Sequence, residues 1–273
     1  MSSNGRRMTG IAVLVAVMVF TLLPLVSLLS AALQPQGSVP TGLAWPNDPQ
    51  WGNFVDAWNA ANMLTLLKSS TLIVIGVVPA ALILSALAGY GLGQLRVPGA
   101  TLILLLLLVG LTSPLEAKII PLYYQLRDMG LLNTRWAIIL PLIGLFMPFG
   151  VIWMRAHFLT IPRELTDAAK VDGATTWRAF RHIHIPLAMP ALASLALLLF
   201  LWTWNQFLLA IVLVDDPSKR TMAGALGSFQ GQYGTDVVLL SAGALVIMAP
   251  TVMVFLLLQR HFVRALLQGA IKG

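Results

Sequence analysis

Long apolar runs separated by short polar segments dominate the chain. A helix needs roughly 20 consecutive apolar residues to cross the hydrocarbon core of a bilayer. Six stretches meet this requirement, at about 11–33, 69–93, 101–124, 134–156, 187–213 and 237–258. The sequence therefore predicts an all-α polytopic membrane protein with six transmembrane helices, which together form a single domain over residues 1–273.

The first apolar run follows Arg6 and Arg7 and ends in a small-residue segment, 30–32, of the kind that signal peptidase cleaves. The run is longer than the apolar region of a typical signal peptide, which has about 7–15 residues. Cleavage would also leave an odd number of spans. We therefore interpret this run as an uncleaved first span.

The third run is interrupted. The unbroken apolar part, 99–112, is too short to span alone, so we expect the helix to continue through Pro114 past Glu116 and Lys118. Charged residues inside a membrane usually face a polar interior or a water-filled cavity. At a helix end they can instead extend to the interface. Glu116 and Lys118 are therefore candidate pathway residues, and the interfacial alternative remains open.

Composition excludes several other classes of protein. The chain has 273 residues, of which 58% are hydrophobic and 10% charged, whereas a soluble domain carries about 25% charged residues. It contains no cysteine, so a disulfide framework or a thiolate nucleophile is excluded. His182 and His184 would project about 200° apart on a helix and could not chelate one metal together. We expect no metal site and no catalytic residue.

The charged residues predict an orientation. With the amino terminus in the cytoplasm, the inner segments hold eleven of the 17 basic residues and three of the 10 acidic ones. This bias favours a topology with both termini inside. It also explains the net charge of +7 without invoking nucleic acid.

The segment between spans four and five, 160–186, has the sequence of two short helices joined by a turn. Pro162 suits the start of a helix, and Gly173 can adopt the left-handed conformation that ends one. Thr175 can cap a second helix, which we expect Pro186 to stop.

On the first of these helices, Leu165, Ala168, Ala169 and Asp172 recur at spacings of three and four. The two alanines would leave a low surface that a partner protein can approach closely. The alternative is a solvated loop that packs on the inner ends of its own spans. A DNA-binding helix-turn-helix is disfavoured, because both ends of the segment are tied to spans.

This segment resembles the EAA loop of binding-protein-dependent ABC importer permeases, in the form found in carbohydrate importers of the maltose-permease type. The resemblance rests on Asp167-Ala168-Ala169, on Gly173 and on Ile185-Pro186, with Asp167 standing where the family has glutamate. Further matches extend along most of the chain, at 89–90, 98–99, 121–123, 130–131, 204–205, 229–233, 259–262 and 269–273.

The resemblance implies a transport subunit without catalytic chemistry that forms half of the translocation pathway and works by alternating access. Its partners would be a second permease in a pseudo-symmetric heterodimer, two cytoplasmic ATPase subunits that bind ATP and Mg, an extracytoplasmic substrate-binding protein and membrane lipid. The location would be a bacterial or archaeal inner membrane. The residues expected to couple to the ATPase are Asp167, Ala168, Ala169, Asp172, Gly173 and Arg178. This chain would bind no cofactor itself.

Candidate substrate contacts lie in the fifth span at Trp202, Trp204, Asn205 and Gln206. Amides in a spanning helix seek hydrogen-bonding partners, and aromatic rings offer flat faces to a sugar. The alternative is helix–helix packing with an interfacial aromatic belt. An importer of a different polar solute, a secondary carrier and a membrane-embedded enzyme remain alternative functions.

Overall fold

The computed structural model of the protein describes residues 3–40, 42–231 and 234–270, and these residues are mostly helical. The α-helices are α1 Ser3–Ala32, α2 Gly52–Ala60, α3 Met63–Gln94, α4 Ala100–Thr112, α5 Leu115–Asp128, α6 Trp136–Leu159, α7 Arg163–Val171, α8 Thr176–Ala179, α9 Ile185–Trp204, α10 Leu208–Leu213 and α11 Val237–Ala270. A π-helical turn covers Phe180–His184, and 3-10 turns cover Pro217–Lys219 and Ala223–Phe229. Two short antiparallel strands pair with each other, β1 Gln230–Gly231 and β2 Gly234–Thr235. The predicted all-α class is confirmed.

Five helical stretches in the described part of the chain are long and apolar enough to cross a membrane. They are Arg7–Ala32, Met63–Gln94, Trp136–Leu159, Thr176–Trp204 and Val237–Leu257. A sixth crossing is made only if α4 and α5 are counted together, and these two helices are bent by 100° at their junction.

The prediction of one unbroken helix over 101–124 is therefore wrong. Proline disfavours the helical conformation in the residue before it and has no N–H to donate. Ser113 and Pro114 are both extended, with ψ of 119° and 144°, and α5 begins after them at Leu115. Each half has 13 or 14 residues, a length of about 20 Å, which is too short to span alone.

The expectation that Pro186 stops the helix after Thr175 is also wrong. The π-helical turn Phe180–His184 comes just before Pro186, and the Ile185 N–H donates to the Phe180 carbonyl. This wider turn precedes the proline, which then occupies the first turn of α9, where a missing N–H costs little. The segment 160–186 thus runs directly into the fifth span.

The chain divides into two compact units, and the single permease domain predicted over 1–273 stays a prediction. The first unit comprises Met1–Leu64 and Ala225–Pro250. Within it the carboxyl end of α1 is held by buried polar contacts, since Ser30 Oγ donates to the Ala44 carbonyl at 2.7 Å and Asn53 Nδ2 to the Ala32 carbonyl at 2.8 Å. The rest of α1 exposes its apolar side chains, as expected of a helix surrounded by lipid.

The second unit comprises Thr65–Gly224 and Thr251–Gly273. Its core has two buried apolar clusters, one around Ile138 and Leu142 and the other around Tyr90 and Phe158. At the second cluster α3 approaches α6 so closely that a Cβ on Gly89 would lie 2.6 Å from the Met154 Cβ. Glycine is therefore required where these two helices meet.

Candidate functional site

The segment 160–186, here called the coupling loop, has the helix–turn–helix form predicted for it. Helix α7 ends at Val171, and the turn after it is made at Gly173, whose φ is +77°. The Gly173 N–H donates to the Lys170 carbonyl at 3.0 Å and the Ala174 N–H to the Ala169 carbonyl at 2.8 Å. These are the two hydrogen bonds of a Schellman motif, which satisfies carbonyls at the end of the helix.

The second helix of the coupling loop starts with the predicted cap. Thr175 Oγ1 accepts a hydrogen bond from the Arg178 N–H at 3.3 Å. Trp177 and Phe180 follow, with ring centroids 5.3 Å apart, and Trp177 remains 60% exposed. The predictions for Gly173 and Thr175 are both confirmed, because each depends only on local chemistry.

Helix α7 has one buried and one exposed face. Thr166 and Ala169 are each 7% exposed and face the rest of the second unit. Asp167, Ala168 and Val171 face outward. The structure thus places the two alanines differently, with Ala168 on the open surface and Ala169 at its inner edge. One face of α7 therefore packs on its own chain, as the alternative interpretation expects, and docking of a partner on the exposed face stays a prediction.

A concave groove with a volume of about 420 Å³ lies between α7 and the helical turns that follow Thr175. Leu165, Ala168, Ala169 and Ala179 contribute apolar surface to it. Polar groups at its edge come from Asp172, Arg178 and His182. The groove therefore offers an apolar floor with charges of both signs around it.

The charges on α7 are partly paired within the helix. Lys170 Nζ lies 2.9 Å from Asp167 Oδ1, and both side chains are more than 60% exposed. An exposed pair of this kind contributes about 0–1 kcal/mol and is readily exchanged for another partner. Asp167 is thus held in place while remaining accessible to a basic group on another protein.

The two candidate charges in the third span have different positions. Lys118 Nζ donates to the Gly110 carbonyl at 3.3 Å and so caps the end of α4 across the bend. Glu116 is exposed in the first turn of α5, where a negative charge favours the helix dipole. The structure therefore gives Lys118 a part in holding the bend.

The fifth span was predicted to continue to residue 213, but α9 ends at Trp204. The candidate substrate contacts Trp204, Asn205 and Gln206 therefore lie at the end of this helix. Trp204 is 4% exposed and stacks on Phe200 at 5.6 Å between centroids. Asn205 Nδ2 donates to the Leu201 carbonyl at 2.8 Å, and Gln206 Oε1 accepts from the Leu209 N–H at 3.4 Å.

Trp202, also a predicted contact, belongs to an aromatic cluster whose α6 members, Phe146, Phe149 and Trp153, were not predicted. Trp202, which is 40% exposed, meets Phe149 edge-on at 4.9 Å and Phe146 at 5.6 Å between centroids. Phe149 in turn stacks on Trp153 at 5.7 Å. The spacing 146, 149, 153 on one helix face was the signal in the sequence that would have indicated it.

His182 and His184 were predicted to project in different directions, and His182 is exposed whereas His184 is fully buried. In the described residues, no group of three or more His, Cys, Asp or Glu side chains is arranged to hold a metal ion.

A family model described as "binding-protein-dependent transport system inner membrane component" matches residues 13–268. The chain belongs to this family. Its relatives include the probable ABC transporter permease YurM of Bacillus subtilis, 35% identical over 84% of this chain and 77% of that protein. They also include the trehalose transport system permease SugB of Mycobacterium tuberculosis, 34% identical over 99% of this chain and 100% of that protein. The diacetylchitobiose uptake permease NgcG of Streptomyces coelicolor is 30% identical over 99% of this chain and 91% of that protein.

The fold of this binding-protein-dependent permease is shared with a solved structure, a bacterial ABC transporter that imports alginate. That match has a TM-score of 0.78 and 24% identity and covers 96% of this chain and 99% of that one. Family membership confirms a membrane transport subunit, and it favours this function over the secondary carrier and the membrane-embedded enzyme. In transporters of this family, ATP hydrolysis belongs to a separate ATPase subunit.

Proposed function

We propose that this permease is one subunit of an ATP-driven carbohydrate importer and that it forms half of the translocation pathway. The observation that carries the proposal is the coupling loop, which presents a capped helix with one free face. Relatives named for uptake of trehalose, diacetylchitobiose and melibiose, raffinose or stachyose support a carbohydrate substrate.

Coupling would work through the outer face of α7. Ala168 permits close approach, Gly173 fixes the turn, and Asp167 can exchange its pairing with Lys170 for a basic group on an ATPase subunit. Arg178, exposed beside the groove, can bind an acidic group of the same partner. Closure of two ATPase subunits on ATP and Mg would then displace the coupling loop and with it the helices of the pathway.

The proposed assembly contains this chain, a second permease, two cytoplasmic ATPase subunits and an extracytoplasmic binding protein. Both termini of this chain would lie in the cytoplasm, as the distribution of basic residues favours. The coupling loop would then face the ATPase side of an inner membrane.

The substrate pathway would use Trp202 rather than Trp204. The ring of Trp202 is accessible and is held edge-on by Phe149, whereas Trp204 is buried in packing. An aromatic face suits the C–H surface of a sugar ring. Lys118, Asn205 and Gln206 already bond within the chain, so we assign them to the bends that shape the pathway.

Reconstitution tests this proposal. The purified complex is placed in proteoliposomes with its binding protein, and uptake of radiolabelled disaccharides and short oligosaccharides is measured with and without ATP. We expect uptake that needs both ATP and the binding protein. Uptake driven by an ion gradient through this chain alone would contradict it.

A second candidate is import of a different polar solute. One relative, GgtD of Synechocystis, is named for uptake of osmoprotective compounds and is 30% identical over 96% of this chain. ATP-dependent uptake of a zwitterionic osmolyte but of no saccharide in the same vesicles would favour it.

A further inference from the structure

One buried hydrogen bond links the coupling loop to the fifth span. Thr166 Oγ1 on α7 lies 3.0 Å from Nε2 of His184, the last residue of the π-helical turn that leads into α9. Thr166 is 7% exposed and His184 is fully buried. Among the described residues, this is the one side-chain hydrogen bond that joins α7 to another helical segment.

The bond lies at the edge of a buried aromatic cluster. The ring of His184 is 4.8 Å from that of Tyr90 on α3 and 6.1 Å from that of Phe158 on α6, between centroids. Phe180, from the same π-helical turn, also packs on Tyr90 at 4.8 Å. In such surroundings a polar group left without its partner is costly, so the Thr166–His184 pair favours one position of α7.

The peptide connections of α7 lie at its two ends, whereas this bond acts near its centre. Helix α7 begins after Pro162, whose backbone is extended. It is followed by a tight turn at Gly173, whose φ is +77°. The bond to His184 instead attaches its centre to the start of the fifth span.

We propose that Thr166 and His184 are positioning residues that make α7 and the start of α9 move together, so that displacement of the coupling loop by an ATPase reaches the pathway. This inference rests on the proposed function. It assigns transmission of the movement to the inner face of α7 and leaves docking to the outer face, where Ala168 lies.

The test uses the complete complex in proteoliposomes and measures ATP hydrolysed per substrate imported. Thr166→Val keeps the shape and removes the hydrogen bond, and Thr166→Ser restores a hydroxyl. His184→Gln offers a second variant that retains a donor and an acceptor near the position of Nε2. Thr203→Val is the matched control, because Thr203 is also buried but bonds only to the Leu199 carbonyl of its own helix.

We expect Thr166→Val to raise the ATP consumed per substrate by about threefold to tenfold, the change in equilibrium produced by losing one hydrogen bond. Co-purification of the ATPase and its hydrolysis rate should stay at wild-type levels, and Thr166→Ser and His184→Gln should recover most of the coupling. An unchanged ratio in Thr166→Val would overturn the inference, as would loss of ATPase co-purification or an equal effect of Thr203→Val. Absence of ATP-driven uptake in the wild-type complex would instead refute the proposed function.

Discussion

Gly173 allows the sharpest test of the turn that forms the coupling loop. Its φ of +77° is a conformation that costs a residue with a side chain about 1–2 kcal/mol. A Cβ built there meets no atom within 4 Å, so backbone strain is the cost that the structure shows for a side chain at this position. A penalty of this size lowers the equilibrium constant for forming the native turn by about 5- to 30-fold.

Uptake by reconstituted complexes should fall in Gly173→Val, by up to this factor, while the spans still insert and the protein is still produced. Gly173→Asn should retain most activity, because asparagine enters the left-handed region more readily. The matched control is Gly130→Val, since Gly130 has φ of +67° and equally open surroundings on the link between α5 and α6. Normal uptake by Gly173→Val, or an equal loss in Gly130→Val, would refute the reasoning.

Three further predictions concern stability. Lys118→Met removes the cap on the Gly110 carbonyl, so the melting temperature of the purified complex should fall by about 2–4 °C with no change in substrate KM. A raised KM at unchanged melting temperature would return Lys118 to the pathway. Hydrogen bonds from Ser218 lower the pKa of Asp216 in the folded protein. The charged carboxylate therefore stabilises the fold at pH values above its unfolded-state pKa of about 3.9. This stabilisation is lost as the pH falls through the lower pKa of the folded state. The stability difference between wild type and Asp216→Asn, measured by thermal unfolding, should therefore shrink on acidification; a difference that grew would contradict the assignment. Gly89→Ala inserts a Cβ into the contact between α3 and α6 and should lower the free energy of unfolding by about 1–3 kcal/mol. A melting curve like that of the wild type would show that α3 and α6 are not so close.

Much of this fold follows from local features of the sequence. The apolar runs predict the long helices because backbone groups in lipid must bond within their own segment. Gly173 and Thr175 could be assigned because a left-handed turn and a helix cap each depend on a few neighbouring atoms. The family resemblance at Asp167-Ala168-Ala169 pointed to the class of protein that the family match confirms.

The two wrong helix predictions, continuation through Pro114 and termination at Pro186, both concern the effect of a proline on the helix around it. Pro114 and Pro186 have the same local effect, yet one separates two helices by 100° and the other lies within a continuing span. The outcome depends on whether the neighbouring turn can widen, as it does at Phe180–His184.

Pairings across the fold could not be predicted from the sequence alone. Thr166 and His184 are 18 residues apart, and nothing local brings them together. In the same way Trp202 and Trp204 look equivalent in the sequence, while the folded structure leaves the first 40% exposed and the second 4% exposed. Such contacts depend on the tertiary path of the chain.

Protection of a single cysteine tests most directly whether the outer face of α7 is the docking surface for the ATPase. The chain has no cysteine of its own, so Val171→Cys introduces one thiol at a residue that is 88% exposed. Val39→Cys, at a residue 81% exposed in the first unit, is the matched control. We predict that a polar maleimide labels Val171→Cys in the permease pair alone and that assembly with the ATPase blocks this labelling while leaving Val39→Cys reactive. Equal labelling of Val171→Cys with and without the ATPase would contradict the proposed coupling loop.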